Sequence, residues 1–146
     1  MIIRSNVNQK TKFTRICIGE AILALLKDHE FTKIKVSDVV RKAGVARTSF
    51  YKHYTSLYGA PSDYLQIIIS DYVEAGEKMH MRESYMQRDH ILYSLKYFDQ
   101  YADVFLTLAR HGLHGIMLEG VNRYMEENIQ TVKRISVYEL YSYETR

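Results

Sequence analysis

Lys35-Val36-Ser37-Asp38-Val39-Val40-Arg41-Lys42-Ala43-Gly44-Val45-Ala46-Arg47-Thr48-Ser49-Phe50-Tyr51-Lys52-His53-Tyr54 is the stretch on which the fold turns. Val36, Val39 and Val40 recur at helical spacing and mark the inward face of a short helix over residues 36–43, with Arg41 and Lys42 facing out. Gly44 ends that helix, because the residue after a helix commonly needs the left-handed conformation that glycine adopts without penalty. Val45 is the apolar plug of the turn. A second helix over residues 47–53 has Phe50 as its inward anchor and Tyr54 packing beneath its end. It spans only about two turns, so packing must hold it in place. Two short helices joined by a glycine turn have the outline of a helix-turn-helix, in which the first braces the second.

Working outward, one Pro, few Gly and apolar residues at three- and four-residue spacing predict an all-α chain of about 7 to 8 helices. A helix over 11–28 has Ile18, Ala21, Ile22 and Leu25 on its inward stripe, with Leu26 beside it and Phe31 folding back onto its end. Ile34 and Val36 anchor the polar connection that follows. Pro61 places the start of the fourth helix near residue 61, since proline is tolerated in a first turn; this helix runs to about 79 and buries Leu65, Ile68, Ile69, Tyr72 and Gly76. A fifth helix over 88–101 turns Ile91, Leu95 and Phe98 inward. Asp103 caps a sixth over 104–111 that ends at Gly112. A seventh over 113–130 carries Met117, Val121, Tyr124 and Met125 or Ile129, and residues 135–143 read as the start of an eighth helix or a frayed end.

The formal charge of +3 is unevenly spread. Residues 1–58 hold 11 Lys/Arg and 4 Asp/Glu, whereas residues 59–146 hold 9 and 13. A basic first part meeting a polyanion and an acidic remainder with another task divide the chain into 1–58 and 59–146. No apolar run approaches the roughly 18 residues of a membrane span, and residues 1–12 lack a signal-peptide core. The single Cys17 cannot form an internal disulfide and reads as a small buried side chain, so the expected setting is a reducing cytoplasm.

The open side of the second short helix carries Arg47, Thr48, Ser49, Tyr51, Lys52 and His53. These residue types suit duplex DNA. Arginine pairs bidentately with guanine or clamps phosphate, and Thr and Ser reach bases or phosphates at short range. Tyr51, Lys52 and His53 sit at the helix end, where they would hold phosphate and position the module without reading sequence. A basic helix face can equally be a solvated face; here it coincides with the two-helix outline and the charge split.

The run from Phe31 to Tyr54, with its Phe-Tyr-x-His-Tyr ending, and the preceding Ile18, Ala21 and Leu25 resemble the DNA-binding signature of tetracycline-repressor (TetR) family transcriptional regulators. The resemblance implies DNA contacts from Lys35, Val36 and Ser37 and from Arg47, Thr48, Ser49, Tyr51, Lys52 and His53. Ala46 stands where the family usually has Ser or a similar cap, and Leu57 where it usually has Lys. Both departures imply a lighter grip on phosphate, and Pro61 alters the joint to the fourth helix. The resemblance further implies a double-stranded DNA operator, a homodimer, and a small-molecule effector enclosed by helices 4 to 7. For the family the chain is short at its C-terminus, ending where an eighth helix begins.

Tyr93, Tyr97, Phe98, Phe105, Tyr124 and Met125 are the candidate lining of an effector pocket, against the plainer reading of aromatic core. His111, His114 and Glu119 have usable metal spacing, but Gly112 breaks the helix that would hold them, so no metal and no cofactor is expected. No nucleophile–base pair, phosphate loop or paired carboxylate supports an enzyme. Two functions follow: an effector-responsive, sequence-specific transcriptional regulator, probably a repressor by its resemblance; or a relative defective in DNA binding that acts as a helical protein-interaction partner or coactivator.

Overall fold

In the computed structural model, residues 9–79 and 88–128 are described. Among them the chain is all helical: α1 (Gln9–Leu26), a 3-10 turn (Phe31–Lys33), α2 (Val36–Ala43), α3 (Arg47–His53), α4 (Gly59–Lys78), α5 (Arg88–Asp99), α6 (Ala102–Arg110) and α7 (His114–Asn128), with no strand. The expected continuation of the seventh helix to residue 130 and the segment 135–143 lie outside the described residues.

The spine is α4. It buries Ala60, Pro61, Tyr64, Leu65, Ile67, Ile68, Ile69, Tyr72 and Gly76, more than one stripe, because α1 packs on one side of it and α7 on another. Contact with α1 is close enough to require Gly19: a Cβ there would lie 2.6 Å from Cβ and Cγ of Tyr64. Along α1, Ile18, Ile22 and Leu26 recur every four residues as a buried row that meets Val39 of α2 and Phe50 of α3 in one core. Leu108, Leu113 and Ile116 continue that core through α6 and the start of α7.

Gly44 ends α2 at φ +68° and ψ 32°, and the Val45 amide donates back to the Val40 carbonyl at 3.1 Å. This left-handed ending satisfies carbonyls that the helix leaves open. Pro61 falls in the first turn of α4, where its missing N–H would have had no intrahelical partner. The helix nevertheless starts two residues earlier than expected, at Gly59.

Several expected inward positions are corrected. On α1 Leu26 is buried and Leu25 half-buried, reversing their expected order. Cys17 is half-buried rather than buried. On α5 Ile91 and Leu95 are 44% and 63% exposed. The helix is rolled so that His90, Tyr93, Ser94, Tyr97 and Phe98 face α4, where the Tyr72 hydroxyl lies 3.0 Å from His90 Nε2 and 2.7 Å from Ser94 Oγ. Hydrogen bonding to a buried phenol thus outweighs the hydrophobicity of Ile91 and Leu95 in setting that face. On α7 Val121 is exposed, whereas Ile116, Gly120 and Tyr124 form the packed row. Asp103 does not cap α6. The cap position belongs to Tyr101, whose carbonyl accepts from the Val104 amide at 2.9 Å, and Asp103 in the first turn pairs instead with Lys27 at 2.8 Å.

Candidate nucleic-acid interface

The geometry of α3 begins from its anchor. Phe50 is fully buried, with Tyr51 edge-on to it at 5.3 Å and Tyr54 tilted against it at 5.4 Å. With that side of so short a helix committed to the core, Arg47, Thr48, Tyr51 and Lys52 are left exposed. They form two adjacent rows, 47 with 51 and 48 with 52, one turn apart. The Arg47 guanidinium carbon lies 5.6 Å from the centroid of the Tyr51 ring, a cation–π contact that restrains a long side chain before anything binds it. Ser49 and His53 are half-buried.

At the start of α2 Lys35 is exposed and Ser37 half-buried, and the Lys35 backbone amide donates to Asp38 Oδ2 at 3.2 Å. Val36 is half-buried and packs against the core, so its side chain is largely occupied there. Ala46 precedes α3 without a side-chain cap. Leu57 is half-buried against the core, which accounts for an apolar residue at that position. Of the nine expected contact positions, the structure therefore exposes five, half-buries Ser37, Ser49 and His53, and packs Val36 inward.

Behind α3 lies a network that its sequence reading missed. Asp63 on α4 accepts from Arg15 Nε at 2.8 Å through Oδ2, from Arg15 Nη2 through Oδ1, and from the Tyr54 hydroxyl. Burial pushes the Asp63 carboxyl up, but hydrogen bonds from Arg15 and Tyr54, helped by the Arg15 charge, pull harder and hold it below its ordinary 3.8. The Arg15 guanidinium is raised by its hydrogen bond to Asp63. Burial, then the bond to Asp63, pushes the Tyr54 phenol well above its usual range, so it remains a donor. Three elements, α1, the end of α3 and α4, are thereby tied together. The available signal was Arg15 itself, a charge on the same stripe as Ile18 and Ile22.

The aromatic residues of the second half gather around Tyr72. Tyr93 stacks on it at 5.4 Å, Tyr97, Phe98 and Tyr124 surround it at 5.3, 4.8 and 5.6 Å, and Phe105 reaches Phe98 at 6.0 Å. Met125 is half-buried. The Tyr97 hydroxyl donates to the Ile68 carbonyl at 3.0 Å, and burial, then Tyr101, pushes its phenol upward. Five of the six candidate effector residues are thus joined in one ring cluster whose centre, Tyr72, was identified in the sequence only as a buried position.

His111 and His114 flank Gly112, which sits at φ +70°. Among the described residues no group of three or more His, Cys, Asp or Glu side chains is placed to hold a metal, and no helix is long and apolar enough to cross a membrane. No protein-family model, curated protein or solved structure matches the chain. Its chemistry is therefore read from its own geometry.

Proposed function

We propose that this chain is a sequence-specific DNA-binding transcriptional regulator of the tetracycline-repressor type, a homodimeric repressor responsive to a small-molecule effector, and not an enzyme. The observation that carries the reading is the outward face of α3. Arg47, Thr48, Tyr51 and Lys52 stand in two exposed rows on a helix that a fully buried Phe50 holds rigidly to α1 and α2. A preplaced row of this kind reads base edges from the major groove, while basic groups at its margins neutralise phosphates. The excess of positive charge in residues 1–58 supports the same reading through long-range attraction to DNA.

In this mechanism Arg47, Thr48 and Ser49 read sequence, and Tyr51, Lys52, His53 and the start of α2 hold the backbone. Two copies place two such helices over successive major grooves. An effector acting on the Tyr72 ring cluster shifts α4 relative to its neighbours, and α4 carries Asp63, which is bonded to the end of α3. A ligand that prefers the shifted arrangement releases DNA by the difference in its affinity for the two states.

The test is binding to the DNA upstream of the chain's own gene, measured by fluorescence anisotropy across a salt series. Arg47→Ala with Lys52→Ala should flatten the slope of log K against log salt by about 1 to 2, since each lost phosphate contact removes about 0.9. Equal and weak binding by both proteins refutes the regulator. That outcome would favour the protein-interaction relative, a reading to which the uncapped start of α3 at Ala46 lends some weight.

A further inference from the structure

A groove of about 700 Å³ runs between the start of α1, the end of α3, the first turns of α4, and α7. This lies within the roughly 300–1,000 Å³ of small-molecule sites. It is separate from the outward face of α3 and from the rings around Tyr72. Arg15, Asp63, His53 and Arg123 are the charged or titratable groups of its wall besides the Tyr54 phenol. Arg15 and Asp63 neutralise each other, and both carboxylate oxygens are already taken by Arg15 and Tyr54. Arg123 remains as an uncompensated charge, exposed on α7 and without an ion pair among the described residues.

The rest of the wall adds donors. Thr55 follows α3, and Ser62 and Gln66 come from α4. Ser62 also lies in the first turn of a 20-residue helix, where the helix dipole favours negative charge. Donors approaching from α3, α4 and α7 suit a tetrahedral oxyanion better than a flat one, and arginine's planar fork pairs with two phosphate oxygens at once. We propose that this groove binds a small phosphate-bearing compound, held by Arg123 on one wall and by His53, Thr55 and Ser62 on the other. Its occupant bridges α7 to the end of α3, so under the regulatory reading it would be a second ligand acting directly on the helix that reads DNA.

The probe is inorganic pyrophosphate, titrated calorimetrically into the full chain at constant ionic strength in a chloride buffer. One saturable site is expected. Arg123→Ala should weaken it at least tenfold and Arg123→Lys less. Arg41→Ala, in the separate basic cavity lined by Lys33, Arg41 and Lys42, should leave it unchanged. Equal melting temperatures of wild type and Arg123→Ala confirm that the exposed substitution leaves the fold intact. Heat that does not saturate, Arg123→Ala binding as tightly as wild type, or equal losses at Arg41 and Arg123 would each overturn the site. A DNA backbone phosphate could occupy the same chemistry. Equal salt slopes on a duplex for wild type and Arg123→Ala support the small molecule, whereas a slope reduced by about 1 assigns Arg123 to DNA and overturns it. The titration contains no nucleic acid, so its failure and the failure of the DNA-binding reading are distinguishable.

Discussion

Replacing Asp63 with asparagine removes the carboxylate that joins Arg15, Tyr54 and α4 while keeping its shape. The Arg15 and Asp63 side chains retain 23% and 22% of their exposure, so their pair is neither a solvated surface contact nor a dry one. Exposed pairs contribute about 0–1 kcal/mol, and removing one partner of a buried pair costs about 3–5 kcal/mol. A loss of about 2 kcal/mol is expected here, lowering the melting temperature by roughly 7 °C in a chain of this size. Urea unfolding of Arg15→Gln, Asp63→Asn and the double variant isolates the pair, with an expected coupling of about 1–2 kcal/mol. The acid limb supplies an independent check. Because the folded Asp63 pKa lies below its ordinary 3.8, the unfolded chain takes up the proton first. Its stabilisation is complete above the unfolded value and is lost as pH falls through the folded one. The gap between wild type and Asp63→Asn must therefore narrow from pH 6 toward pH 3. A coupling under about 0.3 kcal/mol, or a gap that stays constant with pH, would refute the network as a structural tie.

The other expectations concern the core, the turn and the phenols. Gly19→Ala places a Cβ 2.6 Å from the rigid base of the Tyr64 side chain, so α1 and α4 must separate; urea midpoints should report a loss of about 1–3 kcal/mol. Gly44→Ala meets no atom within 4 Å, and its cost is only the left-handed backbone, about 1 kcal/mol, with Gly44→Asn costing less. Stability should fall as pH rises beyond 10. Tyr64 is pushed up to about 12 by burial and by Glu20, and Tyr54 and Tyr97 are also raised, so the unfolded chain loses phenolic protons first. Near-ultraviolet tyrosinate absorbance should then show a delayed phase in the folded protein that disappears in urea.

Much of the first half was legible in residue order. The limits of α2 and α3, the left-handed ending at Gly44 and the inward Phe50 all follow from local rules, because a glycine after a valine stripe and a lone Phe in a short polar helix leave few alternatives. The face of α5 was not legible. Ile91 and Leu95 are the more hydrophobic choice, yet a helix rolls to satisfy a buried phenol, and the phenol of Tyr72 belongs to a different helix. Asp103 failed as a cap for a related reason: its partner Lys27 is distant in sequence.

The amino-acid order alone determines an all-α chain, the basic character of its first 58 residues, and the spacing of Arg47, Thr48, Tyr51 and Lys52 around Phe50. Those are properties of periodicity, turn chemistry and charge, which act over a few residues. Tertiary structure decides which polar groups meet. Arg15, Tyr54 and Asp63 come from three helices and neutralise one another only because α1 and α4 approach across Gly19. The same approach leaves Arg123 facing the end of α3 across a groove. Such pairings depend on the distances between helices, which no local pattern encodes.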